Sequence, residues 1–254
     1  MRFDDVEIKV TLGGDQVGAA VDALGLPSGV EPWRIYFCED VTPGLDPATP
    51  LLDRDVVLRA RDKAGGKDDT TVKLRPCRRS QLTDHWLAAS DGKSDSGDKW
   101  EVKVEADWAG DRRVLSASHT SARHEGLVAE VAGGLRPVGH LFTAEQLQFL
   151  SDCSGPAINL ETLTVLPPVT ATRWKSVETA PASLGARAER WTVDDLDFLE
   201  LSIVAELAEA QSRQEALAAF VRSRGLTVDP QQQAKTRRVL DHLVRRALTA
   251  GAVG

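Results

Sequence analysis

The sequence predicts a mainly β chain (α+β) of about eight strands, whose sheet on closing forms a barrel with a charged lumen and helices packed outside. Three observations predict it. Apolar and polar residues alternate with a period of two in segment after segment, which is the side-chain period of a strand. The polar partners are mostly full charges, unlike the Thr, Ser, Lys and Glu mixture of a solvated sheet face. Several amphipathic helices also need an apolar sheet face to cover, which leaves the charged parity inside a closed sheet.

In chain order, Val6, Ile8, Val10 and Leu12 alternate with Asp5, Glu7, Lys9 and Thr11. Trp33, Ile35 and Phe37 alternate with Arg34, Tyr36 and Cys38. Next, Val56, Leu58 and Ala60 alternate with Val57, Arg59 and Arg61, and Val72 and Leu74 with Thr71, Lys73 and Arg75. Trp100, Val102, Val104 and Trp108 alternate with Glu101, Lys103, Glu105 and Asp107. Arg173 and Lys175 flank Trp174, Arg190 and Asp194 oppose Trp191 and Val193, and Glu200 and Ser202 oppose Leu199, Leu201 and Ile203. Residues 62–69 and 90–98 read as loops.

Four helices are expected. Residues 15–24 put Val17, Val21 and Leu24 on one face behind Asp15. A capping box at 143–146 opens a short helix carrying Leu147 and Leu150. A second box at 212–215 precedes Leu217, Phe220 and Val221 and a stop at Gly225. Asp229 and Pro230 form a cap and first turn for a last helix with Val239, Leu240, Leu243 and Val244. No repeat or linker divides the chain, so the barrel is assigned to 1–204, with C-terminal helices over 205–254 packing on it.

Composition excludes several classes. A chain of 254 residues with 42% hydrophobic and 27% charged content can bury a full core. No apolar run approaches the ~18 residues of a membrane helix, and the first residues lack a signal peptide's apolar stretch. Cys38, Cys77 and Cys153 cannot all pair, so reduced thiols in a cytoplasmic protein are expected. A net charge of −7 argues against nonspecific binding to nucleic acid or acidic membranes.

The charges are not evenly spread. The strand-centre polar positions hold ten cations: Lys9, Arg34, Arg59, Arg61, Lys73, Arg75, Lys103, Arg173, Lys175 and Arg190. They hold seven carboxylates: Asp5, Glu7, Glu101, Glu105, Asp107, Asp194 and Glu200. An acidic chain has therefore concentrated cations on one parity. Crowded cations withdrawn from water need partners, and a multiply charged anion would supply those the carboxylates do not. Arg forks and Lys ammonium groups suit phosphate oxygens. Carboxylates two apart on a strand point the same way and suit a hard cation such as Mg²⁺ or Mn²⁺. Cations and metal around phosphates are the setting of phosphoryl transfer.

These residues resemble a known family. The run Asp5-Val-Glu7-Ile-Lys9 is similar to the ExExK signature of the CYTH superfamily, the triphosphate tunnel metalloenzymes, with Asp for the first Glu. Residues 35–37 with 57–61 resemble the family's second and third strands, 71–75 the fourth, and Lys99-Trp-Glu101 with Glu105 the fifth. Thr172-Arg173-Trp-Lys175 resembles the later basic strand and Leu199-Glu200-Leu-Ser202 the terminal acidic strand. The whole chain is similar to a bacterial branch of that superfamily.

The resemblance implies an eight-stranded antiparallel tunnel that binds a small triphosphate. Members hydrolyse tripolyphosphate or thiamine triphosphate, or cyclise ATP. Carried over, Asp5, Glu7, Glu101 and Glu200 would hold Mg²⁺ or Mn²⁺, and Lys9, Arg59, Arg61, Lys73, Arg75, Arg173 and Lys175 would grip phosphates. Glu200 would activate the attacking water, and Lys9 would assist at the reacting phosphate. Hydrolysis of a small triphosphate is the leading expectation, with an adenylate cyclase and a non-catalytic polyphosphate- or nucleotide-binding module as alternatives. Cyclisation needs purine recognition, which no residue set announces. Ser202 stands where strong hydrolases of the family carry a second Glu, which favours the binding module. The stretch 38–40 lacks the family's Asp-Thr-Pro turn. A lipocalin-like carrier would need an apolar lumen.

Other residues have plainer explanations. Trp33, Trp100, Trp174 and Trp191 fall on the apolar parity and read as core, while Tyr36, on the charged parity, could reach a phosphate. Lys103 and Glu105 read as an internal pair. His119, His124 and His140 lack metal-ligand spacing and read as structural or surface. Lys235, Arg237, Arg238, Arg245 and Arg246 read as the solvated side of an amphipathic helix. That helix could instead cross a tunnel mouth or contact a second copy in a homodimer.

Overall fold

The structure, a computed structural model, describes residues 5–45, 48–63, 65–94, 97–229, 232 and 235–251. The strands are β1 (Asp5–Gly13), β2 (Trp33–Asp40), β3 (Val56–Asp62), β4 (Asp69–Leu74), β5 (Asp91–Lys93), β6 (Lys99–Ala109), β7 (Arg112–Ala122), β8 (Leu163–Val165), β9 (Val169–Trp174), β10 (Arg187–Val193) and β11 (Leu196–Glu206). The α-helices are α1 (Gln16–Ala23), α2 (Pro50–Asp53), α3 (Asp84–Ala88), α4 (Leu127–Ala132), α5 (Ala144–Cys153), α6 (Ala210–Ser223) and α7 (Lys235–Gly251). Among the described residues no helix is long and apolar enough to cross a membrane.

The sheet closes in the order β1-β11-β10-β9-β2-β3-β4-β7-β6 and back to β1, with β5 and β8 paired outside the circuit. The barrel thus has nine strands rather than eight, and it is mixed rather than antiparallel. The two departures are one fact. Antiparallel neighbours can close a ring only in even numbers, so nine strands need a parallel seam, here Val6–Lys9 of β1 beside Ala106–Ala109 of β6. The additional strand is β7. Its outward residues Ala117 and His119 are buried, but its lumen side is Ser116, Ser118 and Thr120, so no strong contrast marks it as a strand. His119, read from the sequence as structural or surface, lies on this strand and is wholly buried among Trp86, Trp100 and Phe149.

Three apolar clusters hold the barrel. The first joins α1 and α6 to the outer face of β1 and β11 through Ile8, Leu201, Val17 and Leu217. The second joins α4 and α5 to the outer face of β3, β4 and β7 through Leu58, Val72, Leu127 and Phe149. Thr143 and Gln146 form the expected capping box of α5, and Gly225 follows α6 at φ 73°. α6 itself begins two residues before the expected box, at Ala210.

The third cluster differs. Val239, Leu240, Leu243 and Val244 of α7 pack on Ile35, Phe37, Trp191 and Phe198. Those strand residues share the parity of Glu189 and Glu200, so α7 covers lumen-side apolar residues at one end of the barrel. The expected helix start at Pro230 lies outside the described residues. Two inward–outward assignments also change. On β2 the apolar parity faces inward, leaving Arg34 exposed and Tyr36 in the outer core, where it reaches no lumen. On β10 Arg190 faces out and binds Asp197 at 2.6 Å, while Glu189 faces in.

Candidate active site

The parallel seam builds the centre of the lumen. It sets Glu7 directly beside Asp107, residues a hundred positions apart in sequence. Lys9, two residues on, reaches Asp107 Oδ1 at 2.5 Å and Glu7 Oε2 at 2.6 Å. From β4, Lys73 Nζ stands 3.5 Å from both Asp107 and Glu105. Arg75 Nε lies 3.2 Å from Asp107 Oδ2 without the alignment of a hydrogen bond. Asp107 is 1% exposed, so its charge survives only through these cations. Burial opposes its ionisation, but Lys9, Lys73 and Arg75 outweigh it and hold the carboxyl well below the usual range. Burial likewise disfavours the Lys9 ammonium, yet Glu7 and Asp107 raise its pKa overall. Carboxylate oxygens of Glu7, Glu105 and Asp107 all lie within 4.8 Å of one another.

The opposite wall is basic. Arg61 forms a two-pronged bond to Asp69 at 2.6 and 2.8 Å, and Lys63 binds the same carboxylate. Arg59, on the same strand as Arg61, donates to the Thr71 hydroxyl at 3.2 Å, and among the described residues its buried Nε has no partner. Among the described residues no carboxylate lies within ion-pair distance of it. Burial, then Arg61, depress its pKa to about 10. Arg173 of β9 stands 3.6 Å from Glu189. Lys235, the first residue of α7, enters beside them, 2.8 Å from Glu189 and 3.0 Å from Glu200, and is buried. A cavity of about 560 Å³ opens beside Arg173 and Glu189, lined by Glu7, Trp33, Lys175, Glu200 and Ser202 among others.

The structure therefore gathers Glu7, Lys9, Arg59, Arg61, Lys73, Arg75, Arg173 and Glu200 around one lumen. Lys175 is exposed at its rim. Asp5 is exposed at the start of β1, and Glu101 is exposed and paired with Lys103 at 3.2 Å. Neither is in the three-carboxylate group. Lys103 and Glu105 do not form the expected pair, because Glu105 turns to Lys73. Sequence reasoning missed Glu189 by taking Trp191 as an outer-core residue; Trp191 packs inside, 5.8 Å from Phe37, which puts Glu189 in the lumen. It missed Lys235 by reading it as solvated. A lysine at the foot of an otherwise apolar helix face was the available signal. Trp174 is outer core as expected, but Trp33 is in none of the apolar clusters and stands among lumen cations.

The Lys235 contacts have a pH consequence. Burial opposes the Glu189 charge, but Lys235 first, and then Arg173 and Arg59, lower its pKa from 4.5 to about 2. A depressed carboxylate stabilises the fold above its unfolded pKa and loses that contribution as pH falls through the folded one. Stability is thus expected to fall between about pH 4.5 and 2. In Lys235→Met the melting temperature should fall less over that window, as measured by thermal unfolding in a pH series.

No protein-family model and no curated protein matches this sequence. Solved structures do. A putative adenylyl cyclase from Hippeastrum, whose structure was described as revealing a dominant triphosphatase activity, superposes with a TM-score of 0.55 at 16% identity, over 92% of this chain and 93% of that one. The chain shares the closed-barrel fold of that protein. The PH1819 protein from Pyrococcus horikoshii OT3 aligns over 92% of this chain and 99% of its own, at 13% identity and a TM-score of 0.44.

Proposed function

We propose that this protein is a divalent-metal-dependent hydrolase of a small triphosphate, inorganic or organic, acting inside the barrel. The observation that carries the proposal is Arg59, a cation held in the lumen whose buried Nε has, among the described residues, no hydrogen-bond partner and no carboxylate within ion-pair distance. Such a group is costly unless an anion completes it, and Arg61 and Arg173 crowd positive charge around the same place. The triphosphatase activity described for the Hippeastrum protein supports the same reading.

The metal fits the donors. Glu7, Glu105 and Asp107 offer hard oxygen atoms within 4.8 Å of each other, and Asp107 Oδ2 has no hydrogen bond. Oxygen donors of this kind suit Mg²⁺ or Mn²⁺. Such an ion, when bound, neutralises phosphate charge and makes water a better nucleophile. This chain's own residues do the rest. Lys9 holds Glu7 and Asp107 in place; Arg59, Lys73, Arg75 and Arg173 receive phosphate oxygens, with Arg61 and Lys175 nearer the rim. Glu200 takes the proton of the attacking water at a carboxylate oxygen, oriented by Lys235 at 3.0 Å.

One observation favours binding without turnover. Ser202 lines the cavity across from Lys9, where a second carboxylate would add a donor. The test is phosphate release from tripolyphosphate, thiamine triphosphate and ATP with Mg²⁺ or Mn²⁺. Release from at least one, reduced about 100-fold or more in Glu7→Gln, is the expected result. Tight binding with no release would make the protein a binding module, and cyclic AMP from ATP would make it a cyclase.

A further inference from the structure

We infer that Trp33 selects for a triphosphate ester whose organic group ends in a flat aromatic ring, as in a nucleoside triphosphate, over inorganic tripolyphosphate. This rests on the proposal that the lumen binds a triphosphate. Trp33 is half-buried at the first position of β2 and packs into none of the apolar clusters. Its ring neighbours are cations: Arg173 at 4.8 Å, Lys63 at 5.2 Å and Arg61 at 5.4 Å from the ring centroid. The ring lines the same cavity as Glu7, Glu189 and Glu200, with Val30 and Trp174 beside it.

Direction follows from the fold. α7 covers the lumen-side residues at one end of the barrel, so a phosphate chain gripped at Arg59 can project a substituent only toward the other end. That end carries Trp33. Phosphate oxygens drawn between Arg61 and Arg173 compete for the cations that now share the ring, and the ring face then meets the substituent. A tryptophan face stacks on flat heterocycles and reads their surface rather than a hydrogen-bond pattern, so discrimination among bases should be small. An inorganic chain has nothing to place on it.

The experiment is calorimetric titration with a slowly hydrolysed ATP analogue and with tripolyphosphate, Ca²⁺ replacing Mg²⁺ to slow turnover, on the unaltered protein, Trp33→Leu and Trp33→Phe. Trp33→Leu should weaken the ATP analogue about tenfold, a loss the size of one base–aromatic stack, while tripolyphosphate stays within about twofold. Trp33→Phe should retain most of the analogue's affinity. Equal losses for both ligands would mean that Trp33 only spaces Arg61 and Arg173, and no loss for either would mean that it selects nothing; both results overturn the inference. Failure of the unaltered protein to bind either ligand is a separate result, which removes the triphosphate reading itself.

Discussion

Asp107→Asn is expected to lower the melting temperature by roughly 10 °C, the largest stability loss from any single change in the lumen. The carboxylate is 1% exposed and stands within ion-pair distance of Lys9, Lys73 and Arg75. Removing its charge leaves Lys9 with Glu7, Lys73 with Glu105, and Arg75 with no carboxylate within ion-pair distance among the described residues. Breaking a buried pair from one side costs about 3–5 kcal/mol, because the remaining charge keeps its desolvation penalty. Asparagine has nearly the same shape, so packing changes little and the loss is electrostatic. Glu105→Gln is the comparison: its side chain is 27% exposed and, among the described residues, pairs with Lys73 alone at 3.5 Å, so water can replace what is lost. Thermal unfolding of the two variants side by side checks the ranking. Equal melting temperatures for Asp107→Asn and the parent would show that the seam holds without this charge.

Arg59→Ala is expected to separate binding from stability. Triphosphate affinity should fall roughly 10- to 100-fold, the size of a lost hydrogen-bonded charge contact. The melting temperature should hold or rise, because the substitution removes a buried cation crowded by Arg61 and Arg173 that, among the described residues, has no carboxylate within ion-pair distance. Calorimetry and thermal unfolding on one preparation read both effects. A large drop in melting temperature with unchanged affinity would make Arg59 a structural residue.

Much of the barrel was legible because its strands carry strong contrast. β1, β3, β4 and β6 alternate apolar residues with full charges, and parity alone picks out Lys9, Arg59, Arg61 and Lys73 as inward cations. β7 was not, because Ser116, Ser118 and Thr120 face a lumen whose charges come from other strands. β2 shows the converse failure. Both of its faces are largely buried, one against α7 and one against the outer core, so alternation cannot say which side is in. The carboxylate centre escaped for a topological reason. Glu7 and Asp107 meet across a parallel seam, and no local pattern announces which distant strand closes a barrel. Glu189 and Lys235 belong to the same class, since each is explained only by its partner.

The most direct measurement is calorimetric titration of tripolyphosphate into the unaltered protein and Arg59→Ala at low and at moderate salt. One site per chain is expected, with affinity that falls as salt rises and falls again with the loss of Arg59. No binding, or binding that Arg59→Ala leaves unchanged, would contradict the assignment of the lumen as a triphosphate site.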